Sequence, residues 1–140
     1  MNADLFKVEF EVRDYECDFE GIVNNAVYMN YLEHARHIFL KQHGIDFIAL
    51  AKRGINLVVI HAELDYLYPL RTEDRFYVTA RMERVSRIRF GFLQEIYRLA
   101  DDKPILKARI TGTSLNEAGR PHFPKELEEL IEGAIAPKEF

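Results

Sequence analysis

The sequence predicts an α+β fold, a five-stranded antiparallel sheet wrapped around one long central helix. Three observations predict it. The segment from Ala26 to Gln42 carries an apolar and aromatic stripe at helical spacing. One alternating run precedes it, and four alternating runs separated by short turns follow it. Strands with one apolar face must bury that face, and this helix is the only segment large enough to cover it.

The first strand spans Leu5 to Val12, where Phe6, Val8, Phe10 and Val12 alternate with Lys7, Glu9 and Glu11. A loop follows through Gly21 to Asn25. From Ala26 the period changes: Tyr28, Tyr31, Leu32, Ala35, Phe39 and Gln42 share one helical face, and Ile38 widens it. Asn24 or Asn25 supplies the N-cap, Gly44 the stop, and Lys41 and His43 stand in the last turn. At 3.6 residues per turn this is a helix of roughly five turns. Asp46 caps a second, shorter helix that runs to Arg53 and ends at Gly54.

The remainder is strand. Val58, Ile60, Ala62, Leu64, Tyr66 and Tyr68 alternate until Pro69. Phe76, Val78, Ala80 and Met82 resume the pattern, then Ile88, Phe90, Phe92 and Ile96, broken only by Gln94. Leu106, Ala108 and Ile110 form the last run, with Lys107 and Arg109 on the opposite face. Turns such as Ala100 to Pro104 are short, so neighbouring strands pair antiparallel. Pro124 to Gly133 reads as a C-terminal amphipathic helix.

Length and composition narrow the function. A chain of 140 residues, 48 % hydrophobic and 30 % charged, fits one globular domain spanning 1–140. The net charge of -4 is spread without a basic stripe, which excludes a nucleic-acid surface but leaves room for a local phosphate site. One cysteine, Cys17, excludes an internal disulfide. No apolar run is long enough for a membrane span, and Met1 to Lys7 has no secretory core, so the expected location is the cytoplasm. No cofactor is expected.

Chemistry concentrates between Asp14 and Tyr28, a carboxylate-rich loop that leads into the buried helix. Asp18 lies a few residues before the helix start, where unpaired amides carry partial positive charge. Those amides suit a carbonyl oxygen becoming an oxyanion, while Asp18 attacks the carbon or activates a water. On this ground alone Asp18 is more often a turn former or cap.

The pattern Asp18-x-x-Gly21-x-Val23-Asn24-Asn25-x-x-Tyr28-x-x-Tyr31-x-Glu33-x-x-Arg36 resembles the signature of the 4-hydroxybenzoyl-CoA thioesterase family of hot-dog proteins. That family's order of elements matches across nearly the whole chain. The resemblance implies an acyl-CoA thioesterase with Asp18 as nucleophile or general base and the Asn25 backbone N–H as oxyanion donor. Gly21 permits the turn, and Tyr28 begins the helix face that lines or supports the acyl pocket. Many relatives have histidine where this chain has Ile22, and others at Asn25. Their absence here leaves Asp18 as the main acid–base group.

Other candidates carry two readings each. Cys17 is a nucleophile without an evident base, or a small buried residue. His34 and His37 stand three apart but lack a third ligand pattern, so no metal is expected. Glu33 either orients the site or pairs with Arg36 or His37 at helical spacing. Arg84, Arg87 and Arg89 around Ser86 form either a solvated hairpin or, as the resemblance implies, a place for the nucleotide end of coenzyme A, with Ser86 and Arg87 binding substrate. Arg71 is a weaker cation of the same kind.

The expected partners are an acyl-CoA substrate and further copies of the chain, as homodimer or homotetramer, with the pocket between protomers and sheets joined edge to edge. The alternatives are an acyl-carrier-protein thioesterase or other hot-dog acyl-thioester enzyme, and a non-catalytic cystatin-like binding domain. Asn24 and Asn25 stand where a hydratase of this fold would need histidine.

Overall fold

The computed structural model describes residues 5–135, so residues 1–4, part of the segment read for a secretory leader, lie outside the described residues. Strand β1 (Lys7–Glu11) leads through a 3₁₀ turn (Asp14–Glu16) to helix α1 (Val27–Gln42) and the short α2 (Phe47–Lys52). Then come β2 (Asn56–Tyr66), β3 (Arg75–Thr79), β4 (Arg81–Ser86), β5 (Arg89–Arg98), β6 (Lys103–Leu115) and α3 (Lys125–Ile135). The sheet is antiparallel throughout, in the order β1-β3-β5-β6-β2, with β4 also paired to β5.

The run expected as one strand from Phe76 to Met82 divides into β3 and β4 at Ala80. Both parts keep one register on β5: Val78 faces Ile96, and Arg81 faces Leu93. They therefore occupy a single position in the sheet, which preserves five strand positions. The interruption has a side-chain cause. Glu95 N–H donates to Thr79 Oγ1 (2.9 Å), and Gln94 Nε2 donates to the Thr79 carbonyl (3.4 Å), in place of ladder bonds. Gln94, the one polar residue in its alternation, is 1 % exposed. It also donates to the Leu32 carbonyl (3.1 Å) and accepts from Arg36 Nη1 (3.1 Å). A buried guanidinium thus ties the helix to the centre of the sheet.

Helix α1 buries Tyr28, Tyr31, Leu32, Ala35, Arg36, Phe39 and Leu40. Its aromatic residues meet β1, β3 and β5: Tyr31 against Phe76 (ring centroids 4.7 Å apart), Phe39 against Phe6 (5.3 Å) and Phe92 (5.6 Å). The N-cap position of α1 falls on Ala26, which offers no side-chain acceptor, and not on Asn24 or Asn25 as expected. Asn24 instead forms the turn before the helix, its side-chain oxygen accepting from Ala26 N–H and its carbonyl from Val27 N–H (both 2.9 Å). Asp46 caps α2 through Ile48 and Ala49 N–H as expected. Helix α3 buries Leu127 and Ile131 against β4, fastened by Arg84–Glu128 and by Arg53–Glu126 (2.7 Å).

Strand β2 is an edge. Its pairing with β6 shifts between Val59 and His61, and the alternation read as a buried face is largely uncovered: Ile60, Tyr66 and Tyr68 are 45 %, 52 % and 41 % exposed. The helix covers the middle of the sheet and leaves this margin bare.

Candidate active site

Residues 16–24 form a narrow hairpin between the 3₁₀ turn and α1. Asp18 N–H donates to the Ile22 carbonyl (2.9 Å), Cys17 bridges Val23, and Asn24 N–H donates to the Glu16 carbonyl (2.9 Å). Asp18 to Gly21 is the turn, closed by Gly21 N–H to the Asp18 carbonyl (3.0 Å). Gly21 takes φ +82°, the left-handed region a residue with Cβ avoids. Asp18 Oδ1 accepts from Glu20 N–H (2.8 Å). The half-buried aspartate is thus the turn former that its type favours, and Oδ2 keeps no donor among the described residues.

The hairpin is docked on the segment after β2. Val23 N–H donates to the Leu70 carbonyl (2.9 Å), and Leu70 N–H donates to Tyr28 Oη (3.0 Å). Tyr28 is 3 % exposed, so its hydroxyl supports the helix start from within the core; burial pushes its ionisation up. Of the amides from Val23 to Val27, only that of Asn25 finds no acceptor among the described residues; Tyr28 N–H, in the first turn, is the next such donor. The peptides on either side are held. Tyr66 Oη donates to the Asn25 carbonyl (3.0 Å), and Asn24 N–H donates to the Glu16 carbonyl.

Asp18, Gly21, Asn25 and Tyr28 therefore gather at one end of the molecule. Glu33 does not join them: it is exposed on α1, 3.8 Å from His37 Nε2, while Arg36 turns inward to Gln94 instead of to Glu33. Burial lowers the His37 ionisation, with Glu33 opposing. Ser86 and Arg87 lie at the Arg89 end of β5, whereas Arg98, at its other end, pairs with Phe76 and so with the β1 end of the hairpin. Ten strand residues put about 30 Å between the two ends. Within that turn Ser86 Oγ accepts from Ile88 N–H (3.3 Å), and Arg87 is exposed. Arg84 is committed elsewhere, to Glu128, the Phe123 ring and the Ser86 and Arg87 carbonyls.

Sequence reasoning assigned no role to Glu16 or Tyr66, nor to the Tyr31 hydroxyl. Glu16 was one carboxylate among several in its loop. In the structure it is 7 % exposed, and it accepts from Arg13 N–H (2.9 Å), Nε (3.2 Å) and Nη2 (2.7 Å) and from Tyr31 Oη (2.8 Å). Burial alone would raise its ionisation, but these donors bring it below the usual carboxylate range. Burial, and then the carboxylates of Asp14, Asp18 and Glu16, push the Cys17 thiol up, which disfavours a thiolate nucleophile.

The clefts among the described residues include two beside the sheet. One, of about 540 Å³, lies between β1, the 3₁₀ turn and α1, lined by Phe10, Arg13, Glu16, Asn30, Tyr31 and His34. The other, of about 440 Å³, lies over the outer sheet face near Glu63, Glu95, Lys107 and Arg109. Asp18 lines neither.

A sheet wrapped on one central helix, with an acidic hairpin at the helix start, defines the hot-dog class of α+β proteins. The chain belongs to the thioesterase-like superfamily, whose family model matches residues 12–131. It is 40 % identical over 119 residues to the chloroplastic acyl-acyl carrier protein thioesterase ATL3 of Arabidopsis thaliana, covering 85 % of this chain and 63 % of that one. It thus spans less than two thirds of that relative. A putative esterase of Aquifex aeolicus is 30 % identical over 120 residues, covering 86 % and 92 %. Among solved structures, a hypothetical protein from Aquifex aeolicus superposes with a TM-score of 0.83 at 29 % identity, covering 90 % and 98 %. A 1,4-dihydroxy-2-naphthoyl-CoA thioesterase from Synechocystis superposes at 0.85 with 18 % identity, covering 94 % and 98 %, a likeness of fold.

Proposed function

We propose that this chain is a thioester hydrolase of the 4-hydroxybenzoyl-CoA thioesterase type, with acyl-CoA as substrate, Asp18 as the reacting carboxylate and Asn25 N–H as the oxyanion donor. The observation that carries it is the unused Asn25 amide at the start of a buried helix, fixed on both sides, beside a hairpin that presents a carboxylate with one free oxygen. On the general-base route Asp18 takes a proton from water, the hydroxyl adds to the thioester carbon, and the C–S bond breaks as the thiolate leaves and is protonated. On the nucleophilic route Asp18 itself displaces the thiolate, and water then hydrolyses the anhydride. Single turnover in ¹⁸O-water identifies the anhydride route if label enters the Asp18 carboxylate, which requires water to attack the Asp18 carbon of the anhydride.

The site is completed by a second copy paired along β2. That edge is unpaired and carries exposed Val59 and Ile60. A two-fold antiparallel pairing of β2 with its copy reverses the sheet. It brings the far end, with the partner subunit's Ser86 and the partner subunit's Arg87, toward the Asp18 end of the first. These residues then meet the nucleotide of coenzyme A, which accounts for their distance from Asp18 in one chain. Gly21 shapes the turn, Tyr28 supports the pocket wall, and Glu33 faces solvent where a second copy would lie.

The test is thiol release from hexanoyl-, lauroyl- and benzoyl-CoA by wild type and Asp18→Asn. A loss of at least a hundredfold in kcat supports the assignment, and equal rates refute it. A second reading, acyl-carrier-protein thioesterase, is favoured by the Arabidopsis relative's name. A kcat/KM for lauroyl-carrier protein well above that for lauroyl-CoA would establish it.

A further inference from the structure

We infer that Glu16 is a positioning residue, which with Tyr31 holds the Asp18 hairpin in register with the start of α1. The inference rests on the role proposed above for Asp18 and Asn25.

Three chain segments meet on this one residue. Its carboxylate takes both Arg13 backbone N–H and the Arg13 guanidinium, which fixes the chain entering the hairpin. Its carbonyl takes Asn24 N–H, which fixes the chain leaving it. Its Oε1 also takes the Tyr31 hydroxyl from the second turn of α1. Asp18 follows Glu16 by two residues, and Asn25 follows Asn24 by one. The separation of carboxylate from amide is therefore set from Glu16 in both directions.

The Tyr31 end of the tie is stiff. Its ring is wedged among Phe76, Phe10 and Tyr28, at centroid distances of 4.7, 5.5 and 5.9 Å. A 3 % exposed ring in such a cage cannot follow the hairpin if the hairpin shifts. The hydroxyl is thus a fixed post, and the hydrogen bond is directional where apolar packing would not be.

Glu16 does not compete with Asp18 for the acid–base role. Both its oxygens are engaged by donors, whereas Asp18 keeps Oδ2 free. Misplacement of a reacting group by about 1 Å costs on the order of a hundredfold in rate. Loss of the tie should therefore appear in turnover.

The experiment uses the full chain as Tyr31→Phe, Glu16→Ala and the double variant. Hydrolysis is followed on whichever CoA thioester named above wild type cleaves fastest, and amide hydrogen exchange is followed in parallel. The expected result is a ten- to hundredfold fall in kcat for each single variant, with KM within twofold. The double variant should be no slower than the slower single, because both substitutions break one tie. Exchange at the Asn24 amide should quicken at least tenfold while amides of β5 and β6 keep their protection. Unchanged kcat, multiplying losses in the double variant, or unchanged exchange would overturn the inference. Failure of the Asp18 assignment is separable: Asp18→Asn would then turn over as wild type, and exchange alone would decide whether Glu16 holds the hairpin.

Discussion

Two tyrosine hydroxyls near the helix start do different work, and single-atom changes separate them. Tyr28→Phe leaves the buried Leu70 N–H without its acceptor, which costs about 1–3 kcal/mol. Urea unfolding should show it as a lower midpoint at constant m-value. Tyr66 is half exposed, so Tyr66→Phe should cost little stability, but it frees the Asn25 carbonyl. Its expected effect is a roughly fivefold fall in kcat, equivalent to the ~1 kcal/mol net contribution of such a bond. Acid should loosen the protein, with Glu16 and His37 among the groups responsible. Glu16, with its ionisation lowered, contributes stability that is present above the ordinary glutamate range and lost as pH falls through its folded value. His37, also lowered, resists charging in the fold, so its contribution too is lost as pH falls, from the ordinary histidine range downward. Thermal midpoints should therefore decline from pH 7 toward pH 4, and less steeply in Glu16→Gln.

At the scale of elements, the sheet shows where side chains override backbone pattern. The division of β3 from β4 follows from Thr79 and Gln94 taking ladder positions, and Gln94 is held in turn by Arg36. Gln94→Leu would keep the alternation unbroken yet strand a buried guanidinium, at a cost of about 2–3 kcal/mol. Calorimetry should record a lower midpoint despite the gain in apolar residues. Gly112 marks the crossing of β6 with β2 and β5: a Cβ there would lie 2.8 Å from the Phe90 ring and 2.8 Å from the Val58 carbonyl. Gly112→Ala should destabilise by about 1–3 kcal/mol through overpacking, read by the same unfolding curves.

At the scale of the molecule, the proposed two-fold copy across β2 would account for both the exposed β2 margin and the distance from Asp18 to Ser86 and Arg87. Ile60→Asp places a charge on that margin, where Ile60 is 45 % exposed. Sedimentation should then show a monomer that keeps its fold by circular dichroism and loses thioesterase activity. An unchanged sedimentation coefficient with full activity would reject this assembly.

Much of this molecule was legible before its structure. Period-two and helical spacing marked the position of each strand and helix in the chain, because each element must aim one apolar face at a shared core. They did not mark the break between β3 and β4 or the uncovered face of β2. Asp46 was legible as a cap, whereas the same reading at Asn24 failed, because its side chain serves a turn just before the helix begins. The Asp18 to Tyr28 segment stood out through its motif. What the sequence alone determined, then, was the order of elements and the face that most of them bury. Tertiary structure decided which polar groups are spent and which are free. Glu16 lies buried because Tyr31 and Arg13 reach it, Arg36 turns from Glu33 to Gln94, and only the Asn25 amide between Val23 and Val27 is left unused. These outcomes depend on hydrogen bonds between residues as far apart as Arg36 and Gln94, and no local spacing encodes them.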